Sequence, residues 1–365
     1  MTLRERLMKV FNGEIPDITP WFADLSYWYD SQKVQELLPS QYKGEKGYLK
    51  LHADNEVGVY LYPPSVWKEE HSEKIITTNV RQGHVTTTTI STPAGDLKSV
   101  SEYLPGSFST GIKEHFVKTI DDLNIMSYIY RNRKIEPFFD DFIRIDKLWG
   151  DYGVPVLLAP ICVSAFQSLV SRWSGVEMSI ILMSDYPEDF QKILEEIQNS
   201  NDKIFDIICD SPAEFVAFPE NLSGDITSPA LLKQYALPCW EKRISQLHAA
   251  DKYVLLHNDG SIKSSLPVLV AETGLDAIEA VTPAPVGDLS LEDIRNITKD
   301  RKIVWGCLPG ALFSREYKEE FFIDYVRKIK DIFPLGCGFV LGVADQVPPD
   351  ADFSRVKMVS EIIAE

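Results

Sequence analysis

Short apolar runs recur along the second half of the chain, each followed by a stretch of helical periodicity. Val154–Pro160, Glu214–Phe218, Tyr253–His257, Ala277–Val281, Ile303–Gly306 and Gly338–Gly342 read as strands covered on both faces, as in a parallel sheet. The pattern predicts amphipathic helices between them. One is capped by Ser184 or Asp185, carries Pro187 in its first turn and runs to about Ile208. Another opens at Ser228-Pro229 and runs to about Ala250, and others follow near 262–273, from Leu291, and near 318–332. Two more strands near Pro20 and Val57 bring the number to about eight, which favours a closed (β/α)8 barrel over an open sheet.

The N-terminal part departs from this rhythm. Thr2 and Glu5 have the spacing of a capping box for a helix over Leu3–Phe11, which Gly13 ends. Lys74–Val80 and His84–Ile90 are β-branched runs separated by Arg81-Gln82-Gly83, the pattern of a hairpin, with a further turn at Thr92–Asp96. No internal repeat or low-complexity linker interrupts the chain. It therefore reads as one α/β domain over residues 1–365, a TIM barrel with an N-terminal helical and hairpin extension. The hairpin insertion spans about 74–103.

Composition narrows the partners. The 365 residues are 44% hydrophobic and 25% charged, ordinary for a soluble globular protein. A net charge of −17, from 54 acidic and 37 basic residues, opposes binding to nucleic acid or an anionic membrane. The first residues lack a signal-peptide core, and no apolar run approaches the ~18 residues of a membrane span. Five scattered cysteines without a C-x-x-C make the cytoplasm the expected compartment. Nucleotide-binding and α/β-hydrolase signatures are absent, so the expected partner is a small molecule.

In a barrel, residues that follow the strands share one pocket. That rule gathers Asp24 with Tyr27-Trp28-Tyr29, Asn55-Glu56, Cys162 to Phe166, Glu220-Asn221, His257-Asn258-Asp259, and Ala344-Asp345-Gln346. His257, Asp259, Asp345 and Glu220 offer the nitrogen and oxygen donors of a mononuclear zinc site, which uses about three protein ligands and keeps one position open. His257, Asp259 and Glu220 equally suit general acid–base catalysis, with a carboxylate orienting the imidazole. In a purely structural alternative, Asp259 caps the next helix, His257 is a hydrogen-bonded core residue and Glu220 meets a neighbouring loop. Tyr27 and Trp28 would wall a ring-shaped or methyl-bearing substrate, with Asp24, Asn221 and Phe166 completing its contacts.

Several motifs together resemble the uroporphyrinogen decarboxylase superfamily. They are Ser228-Pro229, His257-Asn258-Asp259-Gly260, Gly274–Glu279, Trp305–Pro309 and Gly338–Pro349, and the likeness is strongest over about 210–355. The resemblance implies a (β/α)8 barrel and one of two chemistries. Decarboxylases of that superfamily act on a polycarboxylate through an arginine-containing N-terminal motif. Here the matching stretch, Pro20 to Tyr29, has no arginine, and no histidine follows His257. The methyltransferase branch holds zinc with a His-x-Cys and a later Cys, and passes methyl groups to a corrinoid. On that pattern His257 is the first ligand, while Asp259 and Asp345 stand where thiolates are expected. Carboxylates make a harder, more Lewis-acidic site, suited to a leaving oxygen. The resemblance implies methyl transfer to cobalamin carried by a partner protein, and the carboxylate ligands fit O-demethylation of a small methoxylated donor. A metal-independent decarboxylase or lyase acting on a smaller substrate, and a non-catalytic ligand-binding barrel, are the alternatives.

Overall fold

Parallel pairing organises the chain from Val156 onward. The computed structural model describes residues 1–258 and 260–365; Asp259 lies outside the described residues. In chain order the strands begin with β1 (Trp67–His71), then β2 (Ile76–Gln82), β3 (Val85–Thr92), β4 (Gly95–Leu104), β5 (Ser109–Glu114) and β6 (Arg133–Pro137). There follow β7 (Val156–Leu158), β8 (Phe215–Leu222), β9 (Tyr253–Asn258), β10 (Ala277–Val281), β11 (Ile303–Pro309) and β12 (Phe339–Ala344). These last six form one parallel sheet in sequence order.

Two short segments complete the ring. Trp21 bridges Leu341 of β12, Phe22 bridges Gly58, and Val59 bridges Gly153 just before β7, all in parallel. Backbone hydrogen bonds run the same circuit, from Phe22 N to Leu341 O (3.0 Å), Gly58 N to Trp21 O (2.9 Å) and Val156 N to Tyr60 O (2.9 Å). The result is the eight-membered β/α ring expected from the strand count. Gly58 is required where it stands, because a Cβ there would lie 2.3 Å from the Phe22 ring.

Strand alternation sorts the side chains into two cores. Phe22, Tyr60, Phe215, Ala217, Leu255, Ala277, Trp305 and Val340 fill the barrel interior. Their neighbours Val216, Phe218, Val254, Leu256 and Ile278 pack outward against the helices. The helix Leu3–Phe11 plugs the N-terminal end, where Phe11 meets Phe215 and Tyr253 with ring centroids 4.8 and 5.1 Å apart. Its capping box is present, with Glu5 N donating to Thr2 Oγ1 (3.2 Å) and Thr2 N to Glu5 Oε2 (2.8 Å).

The structure corrects several boundaries. Ser184 and Asp185 are not caps but the last turn of a separate helix, Gly175–Asp185, and the next helix, Pro187–Asp210, starts after Tyr186. The helix expected near 262–273 is shorter, Leu266–Glu272. The insertion is a four-stranded antiparallel sheet, β2 to β5, and extends to Glu114. The unread part, β5, is exposed along its whole length, so it carries no apolar alternation. Among the described residues no helix is long and apolar enough to cross a membrane.

Trp305 is the largest side chain in the barrel interior and is fully buried between Tyr60 and Phe22. Trp305→Ala is expected to lower unfolding free energy by roughly 3–5 kcal/mol, read from urea denaturation. A loss below about 1 kcal/mol would show that the barrel centre is not the load it is taken to be.

Candidate active site

His257 and Glu279 occupy paired positions in adjacent strands, β9 and β10. Both share the parity of interior residues, His257 with Leu255 and Glu279 with Ala277, so both point into the barrel near its C-terminal mouth. There Glu279 Oε2 lies 2.5 Å from His257 Nδ1. Its other oxygen accepts from the Tyr60 hydroxyl at 2.7 Å. Glu279 is 2% exposed and Tyr60 1%, so this polar chain is sealed from water. Burial, then the Glu279 charge, push the Tyr60 hydroxyl well above its ordinary value, so it remains a donor. With Nδ1 engaged by a carboxylate, His257 presents Nε2 to the mouth.

Asp345 stands on that side, with Oδ1 4.0 Å from His257 Nε2 and its side chain 54% exposed. It follows β12 in a left-handed conformation, φ 71°, which a non-glycine residue adopts only where the surroundings impose it. Next to it, Gln346 Nε2 donates to Asp24 Oδ2 (2.7 Å) and to the Tyr62 hydroxyl (3.1 Å). Asp24 also accepts from Ser26 N (2.8 Å), starting the helix Ser26–Val34. Burial raises the Asp24 carboxyl above the usual range, and the Glu279 charge adds to it. The charges bearing most on Tyr60 and Tyr62 are Asp24, Glu279 and Asp345, all carboxylates. The mouth is acidic.

The other expected site residues fall in different places. Glu220 does not join His257. It shares the parity of Val216 and Phe218, which face the helices, and accepts from Ser164 N (2.6 Å) and Ser164 Oγ (2.7 Å). Phe166 is 2% exposed and stacks on Tyr235 with centroids 5.2 Å apart, inside a second apolar core away from the mouth. Trp28 stacks on Phe353 at 3.8 Å, so one face of its indole is taken. The Tyr27 hydroxyl donates to the Ser107 carbonyl of the insertion, and Asp345 is among the charges that act on it. Asn221 is exposed, left-handed (φ 47°), and sits at a register shift in β8. Asn55 and Glu56 precede their strand and lie at the opposite end of it, where Ser360 and Lys357 bind them. Asp259, the expected third donor, lies outside the described residues. Among the described residues no three His, Cys, Asp or Glu side chains converge to hold a metal.

Glu279 and Tyr60 complete the candidate site, and a reading of strand ends does not reach them. Glu279 lies within β10 and Tyr60 directly after the bridged Gly58–Val59 segment, and the available signal is the interior parity of Glu279 beside His257.

An eight-membered β/α ring with a histidine–carboxylate pair at its C-terminal mouth defines an α/β-barrel protein with an enzyme-like site. The chain belongs to the uroporphyrinogen decarboxylase family, whose model, described as "Uroporphyrinogen decarboxylase (URO-D)", matches residues 157–365. Among solved structures it is similar to a methyltransferase from Methanosarcina mazei, over 100% of this chain and 98% of that one, with a TM-score of 0.62 and 13% identity. At that identity the likeness is one of fold. No curated protein matches the chain in sequence.

Burial pushes the Glu220 carboxyl up to about 7 from its ordinary 4.5, against the opposing Ser164 hydrogen bonds. A carboxyl that holds its proton more tightly when folded adds stability below the unfolded value, and that contribution is lost as pH rises towards 7. Between pH 5 and pH 8 the wild type should therefore lose on the order of 2–3 kcal/mol relative to Glu220→Gln in urea unfolding. Parallel pH profiles for the two proteins would mean that Glu220 is already ionised in the fold at pH 5.

Proposed function

We propose that this chain is a cytoplasmic methyltransferase. It would take a methyl group from a small methoxylated donor and pass it to a corrinoid carried by a partner protein. The observation that carries this reading is the Tyr60–Glu279–His257 chain, which leaves Nε2 facing Asp345 across 4.0 Å. Family membership and the methyltransferase of similar fold support it.

A metal such as zinc fits this donor set. Imidazole held at Nδ1 by a buried carboxylate is the arrangement that fixes the tautomer and orientation of a metal-binding histidine. His257 and Asp345 would hold the ion, with Asp259 as third donor from its sequence position. The separation of 4.0 Å exceeds the roughly 3.3 Å between two donors of one tetrahedral ion, and the half-exposed Asp345 can make that adjustment by a side-chain rotation. When bound, the metal would supply Lewis acidity at the oxygen that keeps the electron pair of the broken carbon–oxygen bond.

The chain's own residues account for the rest. Glu279 holds the Nδ1 proton and Tyr60 holds Glu279. The acidic mouth favours a neutral or cationic donor over a polycarboxylate, consistent with the lack of arginine between Pro20 and Tyr29. Tyr27 and the free face of Trp28 would border an aromatic donor.

The 2.5 Å His257–Glu279 contact also favours a second reading, a metal-independent decarboxylase or lyase. In that case His257 moves a proton at Nε2 while Glu279 stabilises the imidazolium.

The two readings separate on metal content and on methyl transfer. On the first, protein purified without chelator holds about one zinc per chain, and His257→Ala or Asp345→Ala loses it. Transfer from a methoxylated aromatic to cob(I)alamin falls by at least about 100-fold in His257→Ala, and Glu279→Gln weakens metal affinity by about 10–100-fold. A folded, metal-free protein that is inert with methyl donors would end the methyltransferase reading. Decarboxylation or lyase turnover indifferent to chelators would establish the second.

A further inference from the structure

A second cavity lies where the insertion sheet meets the barrel, and it is built differently from the mouth. We propose that it is a binding site for a small aromatic carboxylate. It encloses about 300 Å³, at the lower end of small-ligand sites, and shares no lining residue with the His257 cluster. Trp67, Phe116, Tyr130 and Trp173 supply aromatic walls, and Arg133 and Arg172 supply charge.

The two guanidiniums have different roles. Arg133 is structural, since its side chain is only 7% exposed and it donates to Glu69 Oε2 (2.9 Å) and Asn201 Oδ1 (3.0 Å). Its Nε is buried with no hydrogen-bond partner. Arg172 lies 5.1 Å from the Trp173 ring centroid and has no carboxylate within ion-pair distance among the described residues. Both act on His71, whose imidazole is pushed down chiefly by burial and held up by Glu69 beside it, so the two arginines and Glu69 bear on one region. Glu69 balances Arg133, and the cavity is left with one uncompensated positive charge.

In a chain of net charge −17, the overall field repels anions, so a local cation must select them. One unmatched charge suits a monoanion. A bare inorganic anion would leave the aromatic walls unused, and a neutral ring would make no use of the Arg172 guanidinium at the cavity's exposed side. An aromatic carboxylate satisfies both, with its ring against the half-buried Trp67 and Phe116 and its oxygens on the guanidinium. Pro160 and Ile161 border the cavity and lead directly into the loop that places Ser164 on Glu220. The proposal stands apart from the methyl-transfer reading.

Titration calorimetry of the full chain with benzoate tests it, with benzyl alcohol and inorganic phosphate as comparisons. Benzoate should bind saturably, and both comparisons at least about tenfold more weakly, the equivalent of one charge-assisted hydrogen bond. Arg172→Gln, an exposed position whose loss spares the fold, should weaken benzoate by about tenfold, while His257→Ala leaves it within about twofold. Absence of saturable benzoate binding, equal affinity for phosphate, or binding lost in His257→Ala but kept in Arg172→Gln would each overturn the proposal.

Discussion

The buried carboxylate of Glu279 is the constraint around which the barrel interior is arranged. It lies at the top of an otherwise apolar column and touches two partners from two other strand segments, Tyr60 and His257. A carboxylate that deep is tolerated only when its oxygens are engaged, and removing either partner leaves a group whose desolvation costs a few kcal/mol. The contact therefore ties the Gly58–Tyr60 segment, β9 and β10 together by charge, where hydrophobic packing alone would not specify which side chain faces which. It also sets the orientation of the imidazole, the one property that every chemical reading of this site requires.

Much of the fold was legible because parallel strands covered on both faces leave a distinct trace, a short apolar run between helical periods. The insertion was only half legible. β2 and β3 carry runs of β-branched residues, whereas the short Ser109–Glu114 stretch of β5 has only Thr110 and Ile112 among small and charged residues and looks like loop. At the site, His257 and Asp345 were found by their position after apolar runs. Glu279 was passed over as the middle of a strand, and Tyr60 as the end of one. Asn55 and Glu56 precede the short strand near Val57 and so belong to its other end; the residue after that strand which reaches the mouth is Tyr62, against Gln346. Parity carries the missing information. Glu220 lies two residues after the outward-facing Phe218 and so belongs with the helices and Ser164, whereas His257 and Glu279 follow the inward-facing Leu255 and Ala277.

Electrostatics then restrict what the mouth can hold. Asp24, Glu279 and Asp345 surround Tyr60 and Tyr62 without a basic residue among the strongest influences, so extra negative charge on a substrate meets repulsion. The same excess of carboxylates favours a cation. Below the insertion sheet the lining is different, because Arg133 and Arg172 join aromatic walls there. An acidic mouth and an arginine-bearing cavity on one barrel imply ligands of different chemistry.

Strand parity alone would turn Asp345 away from the site, since it follows the inward-facing Val340 by five residues. Its left-handed backbone (φ 71°) reverses that direction and brings the carboxylate to 4.0 Å from His257. Cys162, Asn221, Ala280 and Cys307 adopt similar backbone conformations at or near the C-terminal ends of β7, β8, β10 and β11. None of these residues is glycine, so each holds a conformation that the intrinsic preferences of the chain oppose. Strain repeated at one end of a barrel and retained there points to a gain at that end. At Asp345 the gain is a carboxylate opposite Nε2, which gives that residue a stronger claim on the chemistry than Glu220, whose oxygens are fully engaged by Ser164.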